Sequence, residues 1–468
     1  MPVYRKARAG SVGTNTGFHP SLSRCAGGKV QEHLLIFSRF PVPGEVKTRL
    51  IPALGPDRAA LLQRRMTEHV VSVARSLGEA GTHSGLATTL FCTGAPLRAF
   101  RAWLGPGCGY QKQGRGTLGE RMERGVAWAL RQEAEKVLIL GTDIPDISVA
   151  ILRQALASLA DKDLVLGPAM DGGYYLLGLK RMHSELFHAI CWGSSRVYDQ
   201  TMRVAGRLGL SVTSLPPLHD VDGGADLDVV RRKAEFADCI TGREKISVIL
   251  PTLNEEQVLA RTLARLQPAE NVEMIVADGG SDDATTTVAS QAGAVVVHES
   301  GGRAAQLNRG VAAAQGRILL FLHADTLVPN GYAHLIRRAL AEPSTVAGAF
   351  RFRTDAPAGT ALRFLERAVN WRAALLRLPY GDQGLFMERR IFAEMGGFVP
   401  LPVMEDFELV LRLRRRGRLV LLPQEAVTSA RRWQRLGLFR TTLINQLMIA
   451  GFLLGISPKR LQRLYRRQ

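Results

Sequence analysis

Two apolar runs in this chain lead into an acidic residue. Ile318-Leu319-Leu320-Phe321-Leu322 passes through His323-Ala324 to Asp325, and Val137-Leu138-Ile139-Leu140 passes through Gly141-Thr142 to Asp143. Unbroken runs of this kind predict central parallel strands covered on both faces. In open α/β sheets the ligand sits beyond the carboxyl ends of such strands, so both carboxylates are candidate site residues. Elsewhere short apolar stretches alternate with longer amphipathic ones. Strands are predicted at 34–37, 86–92, 164–166, 246–250 and 272–277, and helices near 56–79, near 148–160 and from Glu405 through Leu413. The alternation describes an α/β protein of two tandem units. Residues 1–32 read as a disordered basic leader, 33–240 as the first unit and 241–468 as the second, with the polar Thr241-Gly242-Arg243-Glu244 at the junction.

A length of 468 residues suits two to four domains, and a hydrophobic content of 46% is ample for a core in each. The formal charge of +19 alters this picture because it is uneven. Residues 1–31 carry five Lys/Arg and no acid, and residues 409–468 carry fourteen Lys/Arg against one acid, Glu425, so the two ends hold nearly all of it. No basic patch interleaved with aromatics appears between them, which argues against a nucleic-acid partner. A localised basic end suits a diphosphate or an anionic membrane surface. The five cysteines show neither CxxC pairing nor metal-ligand spacing, the pattern of free thiols in a reducing compartment. Residues 1–31 lack the apolar stretch of a secretory signal. A cytoplasmic protein is expected, with membrane association left open.

In the first unit a Pro/Gly loop follows the first strand and carries Arg39, Lys47 and Arg49. Such a loop can wrap a phosphate with backbone N–H groups and cations, or it can simply be solvated. Asp143, Asp171 of Asp171-Gly172-Gly173, and Asp220 or Asp222 of His219-Asp220-Val221-Asp222 fall at strand ends and could together hold a divalent metal. Asp-Gly-Gly also reads as a plain turn. The GxGxxG of residues 114–119 is a poor dinucleotide fingerprint, because no hydrophobic strand precedes it and it lies in mid-unit. The strings FSRFPVPGEVKTRL, QGRGTLGERM, GTDIPD, LGPAMDGGYYLLGL, WGSSRV and LHDVD occur in that order. They resemble a bacterial glycosyltransferase-A-like family long of unknown function, related to cofactor-guanylylating and molybdenum-cofactor nucleotidyltransferases. The resemblance implies a nucleotide-binding unit, with Lys47 and Arg49 on the nucleotide and Asp143, Asp171 and Asp222 as the metal candidates.

In the second unit the strand at 272–277 runs into Asp278-Gly279-Gly280-Ser281-Asp282-Asp283. A carboxylate there can hydrogen-bond a nucleoside while the small residues admit it to the backbone. For Asp282 and Asp283 a helix cap is the preferred reading. SVILPTLNEE, VADGGSDD, GRAAQLNRG, FLHADT, GDQGLFMERR, GGFVP, MEDFEL and SARRW, spanning about 245–435, resemble the family 2 glycosyltransferases, an inverting group with the glycosyltransferase-A fold. By that resemblance Pro251, Asn254, Glu255 and Asp278 meet the nucleotide, and Arg303, Asn308, Arg432 and Trp433 the rest of the donor. Asp382 and Gln383 face the acceptor, and Asp325 belongs to a Mg²⁺ or Mn²⁺ site. The family's Asp-x-Asp is here His323-Ala324-Asp325, which leaves one carboxylate, and His323 is expected to pack or to hydrogen-bond. Asp406, beside Glu405, is the candidate base for the acceptor hydroxyl. The plain alternative is that both acids favour the positive end of their helix.

The two resemblances together imply a fusion of two tandem glycosyltransferase-A (nucleotide-diphospho-sugar transferase, Rossmann-like) domains. The expected activity is metal-dependent, inverting transfer from a nucleotide-diphosphate sugar to a small-molecule or lipid-like acceptor. Both families carry the label of arsenosugar-biosynthesis transferases. The first unit could instead be a nucleotidyltransferase that makes the activated sugar, or a non-catalytic acceptor-binding module. Leu447–Ile456, ten residues without a polar side chain, is too short to span a bilayer. Beside Arg440, Lys459, Arg460 and Arg463 it reads as a core helix or as a peripheral contact with an anionic membrane.

Overall fold

The computed structural model describes residues 31–79, 85–188, 190–267, 269–355, 360–376, 378–379, 381–431 and 437–466. The expected leader lies almost entirely outside them. The first unit contains β1 (Glu32–Arg39), β2 (Leu86–Thr93), β3 (Gly109–Lys112), β4 (Lys136–Leu140), β5 (Leu164–Pro168), β6 (Tyr174–Leu179) and β7 (Val212–Ser214), in the sheet order β3-β2-β1-β4-β6-β5-β7. The second contains β8 (Ile246–Thr252), β9 (Val272–Asp278), β10 (Val295–His298), β11 (Ile318–Phe321), β12 (Thr326–Leu327), β13 (Thr345–Thr354), β14 (Leu385–Glu388) and β15 (Arg418–Thr428), in the order β10-β9-β8-β11-β14-β13-β15-β12. Apart from the two-residue β12, the second sheet repeats the order of the first. It repeats the directions as well: four parallel strands, one antiparallel strand (β6 or β14), then a parallel pair. The chain is one α/β architecture built twice.

Period-two alternation explains the unbroken apolar runs. Leu34, Ile36, Leu138 and Leu140 fill one face of the first sheet, and Leu35, Val137 and Ile139 the other. Helices α1 (Pro56–Glu79), α2 (Leu97–Leu104) and α4 (Val149–Asp161) cover the first face, and α3 (Leu118–Arg131) and α5 (Val197–Arg207) the second. In the second unit α6 (Glu256–Leu266) and α8 (Tyr332–Ala341) cover one face, and α7 (Arg303–Ala313) and α9 (Glu405–Arg416) the other. Helices α10 (Leu438–Leu453) and α11 (Pro458–Arg466) complete the chain.

Two expectations about the central strands are corrected. β4 and β11 are parallel to one neighbour only, and each is antiparallel to the other, β6 or β14. Burial on both faces yields the same apolar run whichever way the neighbour runs. The strands also stop at Leu140 and Phe321, so Asp143 and Asp325 stand on the loops beyond them.

A buried charge cluster joins the units. Arg64, Arg65 and Glu68 of α1 are 2%, 2% and 7% exposed, and they meet Glu388 at the end of β14 and Glu244 ahead of β8. Arg64 Nη2 donates to Glu388 Oε1 at 2.7 Å, Arg65 Nη1 to Glu68 Oε2 at 2.7 Å, and Arg65 Nη2 to Glu244. Trp103 Nε1 donates to Glu68 Oε1 at 2.7 Å, and Arg317 Nη2 lies 3.5 Å from Glu68 Oε2. Burial alone would push the Glu68 carboxyl up, but the surrounding guanidiniums, Arg65 first, hold it well below the usual carboxylate range. Removing one member of such a cluster strands the others without a counter-charge. Glu68→Ala is therefore expected to destabilise the chain by about 3–5 kcal/mol in urea unfolding, and an effect within the range of an exposed ion pair would contradict this account of the seam.

Candidate active site

The ends of β8 and β9 and the start of α6 form one hydrogen-bonded corner. Asp278 Oδ2 accepts from the backbone N–H groups of Gly280 and Ser281 at 2.9 Å each, and Oδ1 accepts from Ser281 Oγ at 2.5 Å and Thr252 Oγ1 at 3.2 Å. Burial raises its pKa, and these bonds, Ser281 first, outweigh burial and keep it low. At 1% exposure Asp278 holds the Gly279–Ser281 turn in place. These bonds give Asp278 a positioning role in its own loop, beside the nucleotide contact expected of it. Asn254, left-handed at φ 57°, accepts from Asp282 N at 3.0 Å and donates its own N–H to Ser281 Oγ at 2.9 Å. Pro251 lies in β8, half-buried. Asp283 caps the helices on both sides, accepting from Glu256 N at 3.2 Å and Thr285 N at 2.9 Å.

Beyond β11 the charges converge. Arg431 Nη2 lies 3.6 Å from Glu255 Oε2 and 3.8 Å from Asp325 Oδ2. Burial raises the pKa of both acids, and Asp325 raises that of Glu255 further. Two partly buried carboxylates shared by one cation at the limit of contact fit a divalent cation whose remaining ligands are diphosphate and water oxygens. No group of three or more His, Cys, Asp or Glu among the described residues could hold a metal by itself.

Glu405 and Asp406 open α9 directly after Met404, a non-glycine residue at φ 69°. Asp406 Oδ2 accepts from Gly381 N at 2.8 Å and Oδ1 from Phe407 N at 2.7 Å, which fixes the carboxylate plane and leaves a lone pair free on each oxygen. Glu405 pairs with Arg303 Nε at 3.1 Å, and Arg303 Nη2 donates to His323 Nε2. Burial and Arg303 hold His323 neutral, as a hydrogen-bonding residue. Gly381 is the crossing point that no sequence signal singled out. A Cβ there would lie 2.9 Å from His323 Nε2, 3.0 Å from Asp406 Oδ2 and 3.5 Å from Arg303 Nη2. Asp382, next in the chain, has a buried Oδ1 without a hydrogen-bond partner, and burial raises its pKa to about 6.

Gln383, expected to face the acceptor, is buried, and its Nε2 donates to Phe350 O at 3.0 Å. Asn308, expected on the donor, uses its amide on Phe398, donating to O at 2.8 Å and accepting from N at 3.0 Å, and so anchors a loop. Arg432 and Trp433 lie outside the described residues.

The first unit has a cleft of about 690 Å³ whose lining includes Arg39, Lys47, Arg49, Arg121, Asp143 and Asp222. Here the expected metal site is corrected. Lys47 Nζ lies 3.0 Å from Asp143 Oδ2 and 2.9 Å from Asp222 Oδ1, and it donates to Val221 O at 2.6 Å. Its ammonium occupies the place between the two acids that a metal would take, so this pair does not fit one. Asp171 Oδ1 instead accepts from Gly173 N at 2.8 Å in its own turn. Lys47 is left-handed at φ 47°, a conformation the ionic contacts maintain. Burial opposes its charge, but Asp143 and Asp222 raise its pKa. Arg49 is exposed, 3.8 Å from Asp222. The glycine-rich stretch does follow a strand, the short edge strand β3, and Thr117 caps α3 through a capping box with Glu120.

Comparisons with known proteins agree with this doubled architecture. Residues 247–393 match glycosyl transferase family 2, and residues 76–194 match an uncharacterized protein family conserved in bacteria (DUF2064). A solved structure from Desulfovibrio desulfuricans, assigned as a nucleotide-diphospho-sugar transferase, is 34% identical over 44% of this chain and 92% of its own, with a TM-score of 0.40. With its family 2 domain, the enzyme is a glycosyltransferase. The transferase is also similar to a 2-phospho-L-lactate guanylyltransferase of Methanocorpusculum labreanum, 27% identical over 193 residues, which are 40% of this chain and 77% of that protein. A Mycobacterium tuberculosis glucosyl-3-phosphoglycerate synthase, solved with Mn²⁺, UDP-glucose and phosphoglyceric acid, is 22% identical over 40% of this chain and 72% of its own, with a TM-score of 0.33.

The Lys47 geometry carries a signed pH prediction for the transferase. Asp222 is pushed up by burial but held below its ordinary range by Lys47, so its stabilising contribution is present above about pH 4 and is lost as pH falls further. In Lys47→Met the two acids face each other, and their repulsion destabilises the fold increasingly as pH rises. The difference in Tm from wild type should be small near pH 4 and widen toward pH 7, and Mg²⁺ should narrow it by entering the emptied position. A gap independent of both pH and Mg²⁺ would contradict the reading.

Proposed function

We propose that the second unit transfers a sugar, with inversion, from a nucleotide-diphosphate donor to a hydroxyl acceptor in a metal-dependent reaction. The observation that carries this is the convergence of Asp406, His323 and Arg303 on Gly381, beside the acidic pair Asp325 and Glu255. Asp406, with its plane fixed by two backbone N–H groups, takes the proton of the acceptor hydroxyl. The hydroxyl oxygen attacks the anomeric carbon from the face opposite the diphosphate. The bond to the diphosphate breaks, and its electron pair leaves with the phosphate oxygen. Arg303 and Arg431 offset that developing charge in a partly water-excluded site. Asp325, with Glu255, would hold Mg²⁺ or Mn²⁺, which supplies Lewis-acid stabilisation of the diphosphate when bound.

The turn held by Asp278, together with Asn254 and Pro251, shapes the edge on which the nucleoside rests. Asp382 faces the acceptor by family resemblance. Arg432 and Trp433 close on the donor by family resemblance. The acceptor is read as a small-molecule or lipid-like alcohol, and the arsenosugar-type label rests on sequence resemblance alone.

The first unit binds a nucleotide phosphate in its basic cleft, with Lys47 as a built-in cation and Arg49 at the rim. The guanylyltransferase match favours nucleotidyl transfer there, which would supply the activated sugar to the second unit. Pyrophosphate release from a nucleoside triphosphate and a sugar phosphate tests that reading.

The direct test of the main proposal is Asp406→Asn. Transfer from a radiolabelled nucleotide-sugar should fall by about 10²–10⁴-fold in kcat with donor KM unchanged, and the residual product should carry the inverted anomer by NMR. Full activity in Asp406→Asn, or retention of configuration, would overturn the assignment.

A further inference from the structure

Helix α10 is apolar on both faces. Thr441 and Met448 are buried on one face, where Ile449 and Phe452 also pack on the core and Phe452 meets Phe407 edge-on at 5.7 Å. On the opposite face Leu443, Leu447 and Leu454, spaced i, i+4 and i+11, are 60%, 59% and 81% exposed, flanked by Leu453 and Ile456. Among the described residues nothing covers this row. Helix α11 packs beside it through the buried Leu461 and exposes Arg460 and Arg463. From residue 426 onward the chain has nine Lys/Arg and no Asp or Glu.

We propose that α10 and α11 form a docking surface for an anionic lipid bilayer, with the leucine row entering the acyl boundary and the arginines meeting the headgroups. An interfacial helix needs an apolar face beside cations, and here both are exposed. No described helix is long and apolar enough to cross a membrane, so the contact is peripheral. Charge decides between this occupant and a second copy. An isologous dimer on this face would set two acid-free, strongly basic surfaces against each other, whereas an anionic bilayer complements them. Docking would hold the second unit at the lipid surface, and it stands whether or not the proposed sugar transfer does.

The test is co-sedimentation of the full chain with vesicles of phosphatidylcholine alone or with about 30% phosphatidylserine, a composition in which each basic residue near the surface adds attraction. Binding is expected only to the anionic vesicles and should weaken with salt. It should fall at least tenfold in Leu443→Ser/Leu447→Ser and, separately, in Arg460→Glu/Arg463→Glu. Circular dichroism of each variant confirms the fold, and the charge-reversal pair serves as the second arm should the serine pair misfold. Equal sedimentation with neutral vesicles, absence of binding, or a wild-type dimer in light scattering that the serine pair dissociates would overturn the proposal.

Discussion

A carboxylate with no access to water must be answered by charge, and at Glu68 that requirement decides how the molecule is assembled. Its oxygens are met by Arg64 and Arg65 of its own helix, by Arg317 of the other unit and by the Trp103 indole. The same guanidiniums reach Glu388 and Glu244. Neither unit can satisfy this cluster alone, so the seam is a condition of the fold. It also has a direction. Glu244 precedes β8 and Arg317 precedes β11, so the seam sits at the amino ends of strands whose carboxyl ends lead on to Glu255 and Asp325. The two units join at the back, and the second site stays open.

One topology, built twice, places an acid at the same point in each sheet: Asp143 beyond β4 and Asp325 beyond β11. The two positions have diverged in what answers the charge. Asp143 and Asp222 are closed around an internal ammonium, Lys47, while Asp325 and Glu255 share only a loosely placed Arg431. The first arrangement is complete as it stands and leaves Lys47 as a fixed cation at the floor of a cleft. The second is open to a further cation and to the diphosphate that would arrive with it.

Apolar runs and acidic strand ends were readable because burial imposes them directly on the sequence. Strand direction was not, since β6 and β14 can run antiparallel to β4 and β11 without changing any residue's burial. Arg64 and Arg65 carried no signal of their role, because nothing local in the sequence records that a second unit packs there. Side chains named by family position separated into two kinds. Arg303 links Glu405 to His323 near Asp406, and Arg431 lies between Asp325 and Glu255, whereas Asp278, Asn308 and Gln383 hydrogen-bond the backbone around them. A motif string records that a residue is required without recording whether it touches ligand or loop. Gly381 entered only as the first residue of the GDQGLFMERR string, yet only the absence of its Cβ lets His323, Asp406 and Arg303 approach so closely.

The central claim is that Asp325 and its neighbours make a donor site completed by a divalent cation. Thermal unfolding of the full chain with UDP or GDP, with and without Mn²⁺, tests it most directly, because a ligand that binds the folded state raises Tm by mass action. The account predicts that one nucleotide together with Mn²⁺ stabilises more than the two separate effects combined, and that Asp325→Ala abolishes this synergy while Lys47→Met preserves it. Equal stabilisation by nucleotide without metal, or synergy that survives Asp325→Ala, would contradict it.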